Sequence, residues 1–95
     1  KNQLLQDSET GEIYAVFDRV GNTTLRHVDL KTGELGEGIQ LHYRYVDKLA
    51  LRNNAAFYIY RPYESAQKKF LYKEKLPLKY NSSTTVRGDD LTKKN

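Results

Sequence analysis

The chain has few residues that could carry out acid–base or nucleophilic chemistry near neutral pH. It contains no cysteine, and its two histidines are His27 and His42. A catalytic base must lie within hydrogen-bond reach of a nucleophile, and neither histidine has a recognisable motif around it. His27 and Asp29 share a strand face, but further ligands are missing at any spacing typical of a metal site. We therefore predict a non-catalytic protein that uses no cofactor or metal.

Cations and aromatic rings are interleaved in the second half of the chain. The candidate binding residues there are Arg61, Lys68, Lys69, Tyr72, Lys73 and Lys75. Proteins that bind single-stranded nucleic acid use this mixture, because bases stack on the rings and cations neutralise phosphates. The rings are also needed as core in a chain that has no Trp and no Met. We therefore expect a structural role for them and keep nucleic-acid binding as an alternative.

Charge is distributed unevenly along the sequence. Residues 1–50 hold 6 Lys and Arg against 8 Asp and Glu, whereas residues 51–95 hold 10 against 4. The two parts therefore carry net charges of −2 and +6. Such an excess permits an anionic partner, although a lysine-rich surface also keeps a small domain soluble.

The elements that must position these residues are predicted to be β-strands. Two continuous apolar runs, at residues 13–17 and 55–60, indicate strands covered on both faces. Residues 39–45 alternate between apolar and polar side chains, which predicts a half-buried strand with one wet side. Asn53 and Asn54 tolerate positive φ and predict a tight hairpin. We expect about seven short strands in antiparallel sheets, an all-β fold.

Two segments near the C-terminus are treated separately. Residues 64–76 have helix-end signals, with Ser65 as a possible cap and Pro77 after the end. The alternation over 69–76 favours a strand instead. Residues 81–95 are polar and are predicted to form a flexible tail after a single domain at 1–80. The sequence contains no apolar run of roughly 20 residues, so we expect no membrane span.

A weak internal repeat has a period of 44 to 46 residues. It aligns Leu4 with Leu49, residues 13–14 with 57–58, and Leu25 with Leu71. A period near 45 with several short strands in each unit is typical of β-propeller blades. The alternative is a small β-sandwich or open barrel in which the repeat is accidental.

The segments that carry a family resemblance read IYAVFDRVGNTTLRHVDLKTGEL, VDKLALRNNAAFYIYRP and FLYKEKL. Over residues 3–78 the chain resembles the closing blades of six-bladed β-propeller proteins, common among secreted or surface-attached proteins of anaerobic gut bacteria. The resemblance implies a scaffold that binds an unknown ligand or packs against neighbouring blades of a parent protein. It implies a periplasmic, cell-surface or secreted location and no reaction. A small basic β-barrel that binds single-stranded nucleic acid, or a protein–protein interaction module, is the alternative.

Overall fold

Seven strands make up two antiparallel sheets in the computed structural model, which describes residues 3–77. The first sheet has the order β1-β2-β3-β4 and the second has the order β5-β6-β7. The strands are β1 (Gln3–Gln6), β2 (Ile13–Arg19), β3 (Asn22–His27), β4 (Ile39–Gln40), β5 (Val46–Arg52), β6 (Ala55–Tyr60) and β7 (Phe70–Lys75). The predicted all-β fold is confirmed. The boundary at residue 80 and the predicted tail lie outside the described residues.

Two tight hairpins set the pairing of the strands. Asn53 and Asn54 join β5 to β6 with φ values of 52° and 63°, as the sequence predicts. Val20 and Gly21 join β2 to β3, and both also have positive φ. A Cβ at Gly21 would lie 2.6 Å from Cε1 of Tyr45, so this position needs glycine for space as well as for its backbone angle.

The two sheets share one hydrophobic core rich in tyrosine. Its fully buried members are Tyr14, Val16, Leu25, Leu41, Leu51, Ala56, Tyr58 and Leu76. Leu5 pairs with Tyr14 across β1 and β2, and Leu49 pairs with Tyr58 across β5 and β6, 44 residues further along the chain. Leu5 is thus the counterpart of Leu49. The predicted partner, Leu4, is instead 66% exposed on the opposite face of β1.

The central strands are covered on one face over most of their length. Tyr14 and Val16 of β2 face the core, whereas Ile13 and Phe17 on the opposite face are only half-buried. In β6, Phe57 is likewise half-buried. The expectation that both continuous runs are covered on both faces is met only in part: Ala15 and Ala55 on the outer faces are buried, whereas the larger outer side chains are only half-buried because the sheets pack on each other through the inner face.

Residues 39–45 depart from the predicted strand. Only Ile39–Gln40 pairs with β3, and the chain bends from His42 to Tyr45, where φ is 56°. The predicted alternation of burial is present nevertheless, with Leu41 buried and its neighbours exposed. The ring of Tyr43 stacks on Tyr60 of the second sheet at 4.0 Å and 5°. The N–H groups of Leu41 and Tyr45 still donate to the first sheet, at Thr23 O and Gly21 O, so this segment bends along the edge of that sheet while its Tyr43 ring contacts the second.

The contested segment 64–76 contains strand β7 and, within the described residues, no helix. β7 pairs antiparallel with β6, with Tyr72 opposite Tyr58 and Phe70 opposite Tyr60. Pairing with an aromatic neighbour outweighs the helix-end signals, because cross-strand contacts determine strand stability more than local propensity does.

Candidate functional site

Two loops of the chain have the same sequence pattern and the same local geometry. The pattern Asp-x-x-Thr-Gly-Glu occupies residues 7–12 and 29–34. In each loop the Asp Oδ1 accepts backbone N–H groups two and three residues later, and the glycine has a φ of 80°. An aspartate that bonds to the backbone ahead of it is typical of an Asx-turn. The second loop is exposed, whereas Asp7 in the first is buried.

Asp7 also binds the hairpin of the second sheet. Its Oδ1 accepts the N–H of Asn53 and its Oδ2 accepts the N–H of Asn54, both at 2.7 Å. Burial pushes the pKa of Asp7 upward, but four backbone donors, that of Asn54 foremost, outweigh burial and lower the pKa to about 2. The carboxylate of Asp7 is therefore ionised and joins the two sheets through hydrogen bonds. The Asx-turn pattern of residues 7–11 could have identified its loop partners, but not those of the second sheet.

The six predicted binding residues do not share one surface. Tyr72 lies on the inner face of β7. Lys73 and Lys75 lie on the outer face, because side chains alternate between the two faces along a strand. The Nζ of Lys68, in the loop before β7, lies 6.0 Å from the centre of the Phe70 ring. Tyr72 therefore belongs to an inward aromatic part, and Lys73 and Lys75 belong to an outward basic part.

Arg61 and Lys69 belong to a third group, centred on Asp47. Oδ2 of Asp47 lies 3.2 Å from Nε of Arg61 and 3.3 Å from Nζ of Lys69. Burial acts to raise the pKa of Asp47, but the contacts with Lys69 and Arg61 lower it overall. The carboxylate holds both cations in place, so their charge is partly neutralised within the molecule.

The inward part is an aromatic cluster at one end of the second sheet. Tyr72 packs edge-on against Tyr43 at 4.8 Å and against Tyr58 at 5.8 Å. The hydroxyl of Tyr58 donates to Glu74 Oε1 at 2.7 Å. Burial, with Glu74 second, raises the pKa of Tyr58, so this hydroxyl stays protonated as a donor. Tyr58 is part of the core and Tyr43 packs against it, whereas Tyr72 is still 36% exposed.

The outward part is the outer face of β5, β6 and β7, which we call the basic face. Residues directly opposite in the register share a face, and three rows cross the sheet there. The rows are Lys48–Ile59–Leu71, Ala50–Phe57–Lys73 and Arg52–Ala55–Lys75. Four cations thus surround an apolar centre. Sequence alternation around Tyr72, Lys73 and Lys75 could have separated this face from the aromatic cluster.

The two histidines lie in different surroundings. His27 Nε2 contacts the carboxylate of Glu12, and its ring lies 5.4 Å from that of Tyr14 in an edge arrangement. His42 is exposed and packs edge-on against Tyr43 at 4.5 Å. No group of three or more potential metal ligands occurs in residues 3–77. The absence of catalytic activity stays a prediction.

Comparison of the chain with protein-family models, with curated proteins and with solved structures finds no match. Within the described range, no helix is long and apolar enough to cross a lipid bilayer. The function therefore has to be argued from the surfaces of the two sheets.

Proposed function

We propose that the chain is a non-catalytic β scaffold whose outer sheet faces pack against neighbouring sheets of a larger protein, in keeping with the blade-like resemblance. The observation that carries this proposal is apolar exposure on both outer faces. Leu4, on the outer face of β1, is 66% exposed, and Leu71, on that of β7, is 75% exposed. Monomeric soluble proteins rarely leave contiguous apolar surface uncovered unless it has a partner.

Half-buried side chains surround both leucines. On the first sheet, the outer row Leu4–Ala15–Arg26 has Ile13 and Phe17 of β2 on either side. On the second sheet, Phe57 and Ile59 occupy the centre of the basic face. Two apolar sheet faces on opposite sides are what a unit within a stack of sheets requires.

The location that we propose for the protein follows from the family resemblance. It is the periplasm, the cell surface or the extracellular space.

Site-specific photo-cross-linking tests the scaffold function in cells that make the protein. A photoreactive phenylalanine analogue replaces Leu4 or Leu71, and adducts are mapped by mass spectrometry. Leu30 is the matched control, because it is 72% exposed but lies in the turn at residues 30–32 and not on a sheet face. We expect both sheet positions to cross-link to β-segments and Leu30 to give little adduct. Equal yields at all three positions would show that the outer faces are simply solvated.

A further inference from the structure

The paired positions of the basic face are rich in cations. Of its nine paired strand positions, four are cationic and none carries a carboxylate; Asp47, which lies outside the register at the bulge of β5, contacts Arg61 and Lys69. Arg52 makes an exposed ion pair with Glu9, from a loop of the first sheet, at 3.0 Å. Within the described chain, Lys48, Lys73 and Lys75 make no ion pair; Lys73 Nζ lies 5.5 Å from the centre of the Phe57 ring. Three cations on this face therefore have no ion-pair partner among residues 3–77.

An apolar surface lies between these cations. Leu71 projects into solvent, and Ile59 and Phe57 are half-buried beside it. The face continues into an open groove of about 440 Å³ along the seam between β1 and β5. Leu5, Leu49, Leu51, Phe57 and Arg52 are among the residues that line this groove. An apolar centre with a charged rim is typical of a protein–protein contact surface.

We infer that the basic face docks a partner protein surface in which carboxylates surround an apolar centre, an inference that rests on the proposed scaffold function. Charge complementarity carries it, because facing cations across an interface would repel. A second copy of this chain does not fit. The outer face of its first sheet carries Arg19 and Arg26 and no carboxylate at the paired strand positions, so neither outer face of the described sheets complements the basic face.

Two other classes of anionic partner fit less well. Binding of single-stranded nucleic acid needs open aromatic platforms, and the one ring on this face, Phe57, already has Lys73 beside it. Insertion into a membrane surface needs an apolar face buried roughly 5–10 Å deep, whereas Leu71 is exposed and its apolar neighbours Phe57 and Ile59 are half-buried. A protein surface matches the aliphatic centre and the flanking lysines together.

A defined peptide pair tests this inference on the isolated chain. The first peptide alternates glutamate with valine, and the second alternates glutamine with valine; binding is measured by fluorescence anisotropy. We expect the chain to bind the glutamate peptide in a salt-dependent manner and to bind the glutamine peptide at least about tenfold more weakly. The double variant Lys73→Glu, Lys75→Glu should lose at least about tenfold in affinity for the glutamate peptide. Leu71→Asn should also weaken binding.

The control has the same change in net charge away from the basic face. It is the double variant Arg19→Glu, Lys31→Glu, and circular dichroism verifies that every variant is folded. Equal losses in both double variants, or no binding of the glutamate peptide, would overturn the inference. So would tighter binding of an oligothymidine or of phosphatidylserine vesicles that depends on Lys73 and Lys75.

The two proposals can fail separately. If Leu71 cross-links in cells but substitution of the two lysines does not change peptide binding, the inferred docking chemistry is wrong and the scaffold proposal stands. Loss of the cross-links removes the scaffold proposal itself.

Discussion

The carboxylate of Asp7 accepts the backbone N–H of Asn54 at 2.7 Å, and this bond joins the first loop of one sheet to the hairpin turn of the other. Asn54 adopts a positive φ of 63° there. Turn N–H groups that point into the interior need an acceptor, because an unpaired buried donor is destabilising. Asp7 supplies that acceptor from the neighbouring sheet.

Substitution of Asp7 should therefore destabilise the protein strongly. Asp7→Asn keeps the shape of the side chain, but it replaces one acceptor oxygen with a donor and removes the charge. We expect a loss of about 2–3 kcal/mol in the free energy of unfolding, measured by urea denaturation. Asp29→Asn is the matched control, since Asp29 has the same loop geometry at an exposed site. It should cost within about 0.5 kcal/mol. Equal losses would show that Asp7 acts only within its own loop.

Stability should also fall in acid through Asp7. Its pKa in the folded protein is about 2, below the ordinary value of 3.8, so folding favours the ionised form. The resulting stabilisation, about 2 kcal/mol, is complete above about pH 5 and disappears as the pH falls towards 2. Denaturation curves at pH 6 and at pH 2.5, compared between the wild type and Asp7→Asn, measure this contribution. The variant should lose less stability between the two pH values; an identical loss in both proteins would rule out Asp7 as a source.

Replacement by alanine should lower the free energy of unfolding much more at Leu25 than at Leu71. Leu25 is 0% exposed in the shared core and Leu71 is 75% exposed. Leu25→Ala should leave a cavity and cost about 2–5 kcal/mol, whereas Leu71→Ala should stay within about 0.5 kcal/mol in the isolated chain. Thermal and chemical denaturation both report the difference. A large loss for Leu71→Ala would mean that its face is already covered in the isolated protein.

Gly21 and Gly33 separate a steric effect from a backbone effect. Both have a φ near 80°, but a Cβ at Gly33 would meet no atom within 4 Å, while one at Gly21 would contact the ring of Tyr45. Gly33→Ala should cost about 1–2 kcal/mol, the usual penalty of a left-handed conformation for an L-residue. Gly21→Ala should cost more, because the Tyr45 ring must also move. If both variants lose the same free energy of unfolding, the Tyr45 ring moves aside without a measurable energetic penalty.

The sequence indicates local features of this fold more reliably than contacts between the sheets. The Asn53–Asn54 turn follows from the residues themselves, and the alternation before Pro77 favours the strand that β7 forms. Alternation at residues 39–45 predicts burial correctly but not pairing, since a bend that lies on the core buries the same side chains as a strand does. The role of Asp7 depends on donors 46 and 47 residues away, which no local pattern reveals.

Every strand pair between residues 3 and 77 joins neighbours in the chain, whereas the bonds from Asp7 to Asn53 and Asn54 span nearly half of the sequence. Closing a long loop costs conformational entropy before its contacts form. We therefore expect each sheet to begin to form within its own stretch of chain and the Asp7 bonds to form later, when the two sheets dock. On this folding order, loss of the carboxylate would accelerate unfolding far more than it slows refolding. We therefore expect the bonds from Asp7 to the second sheet to lengthen the lifetime of the folded state.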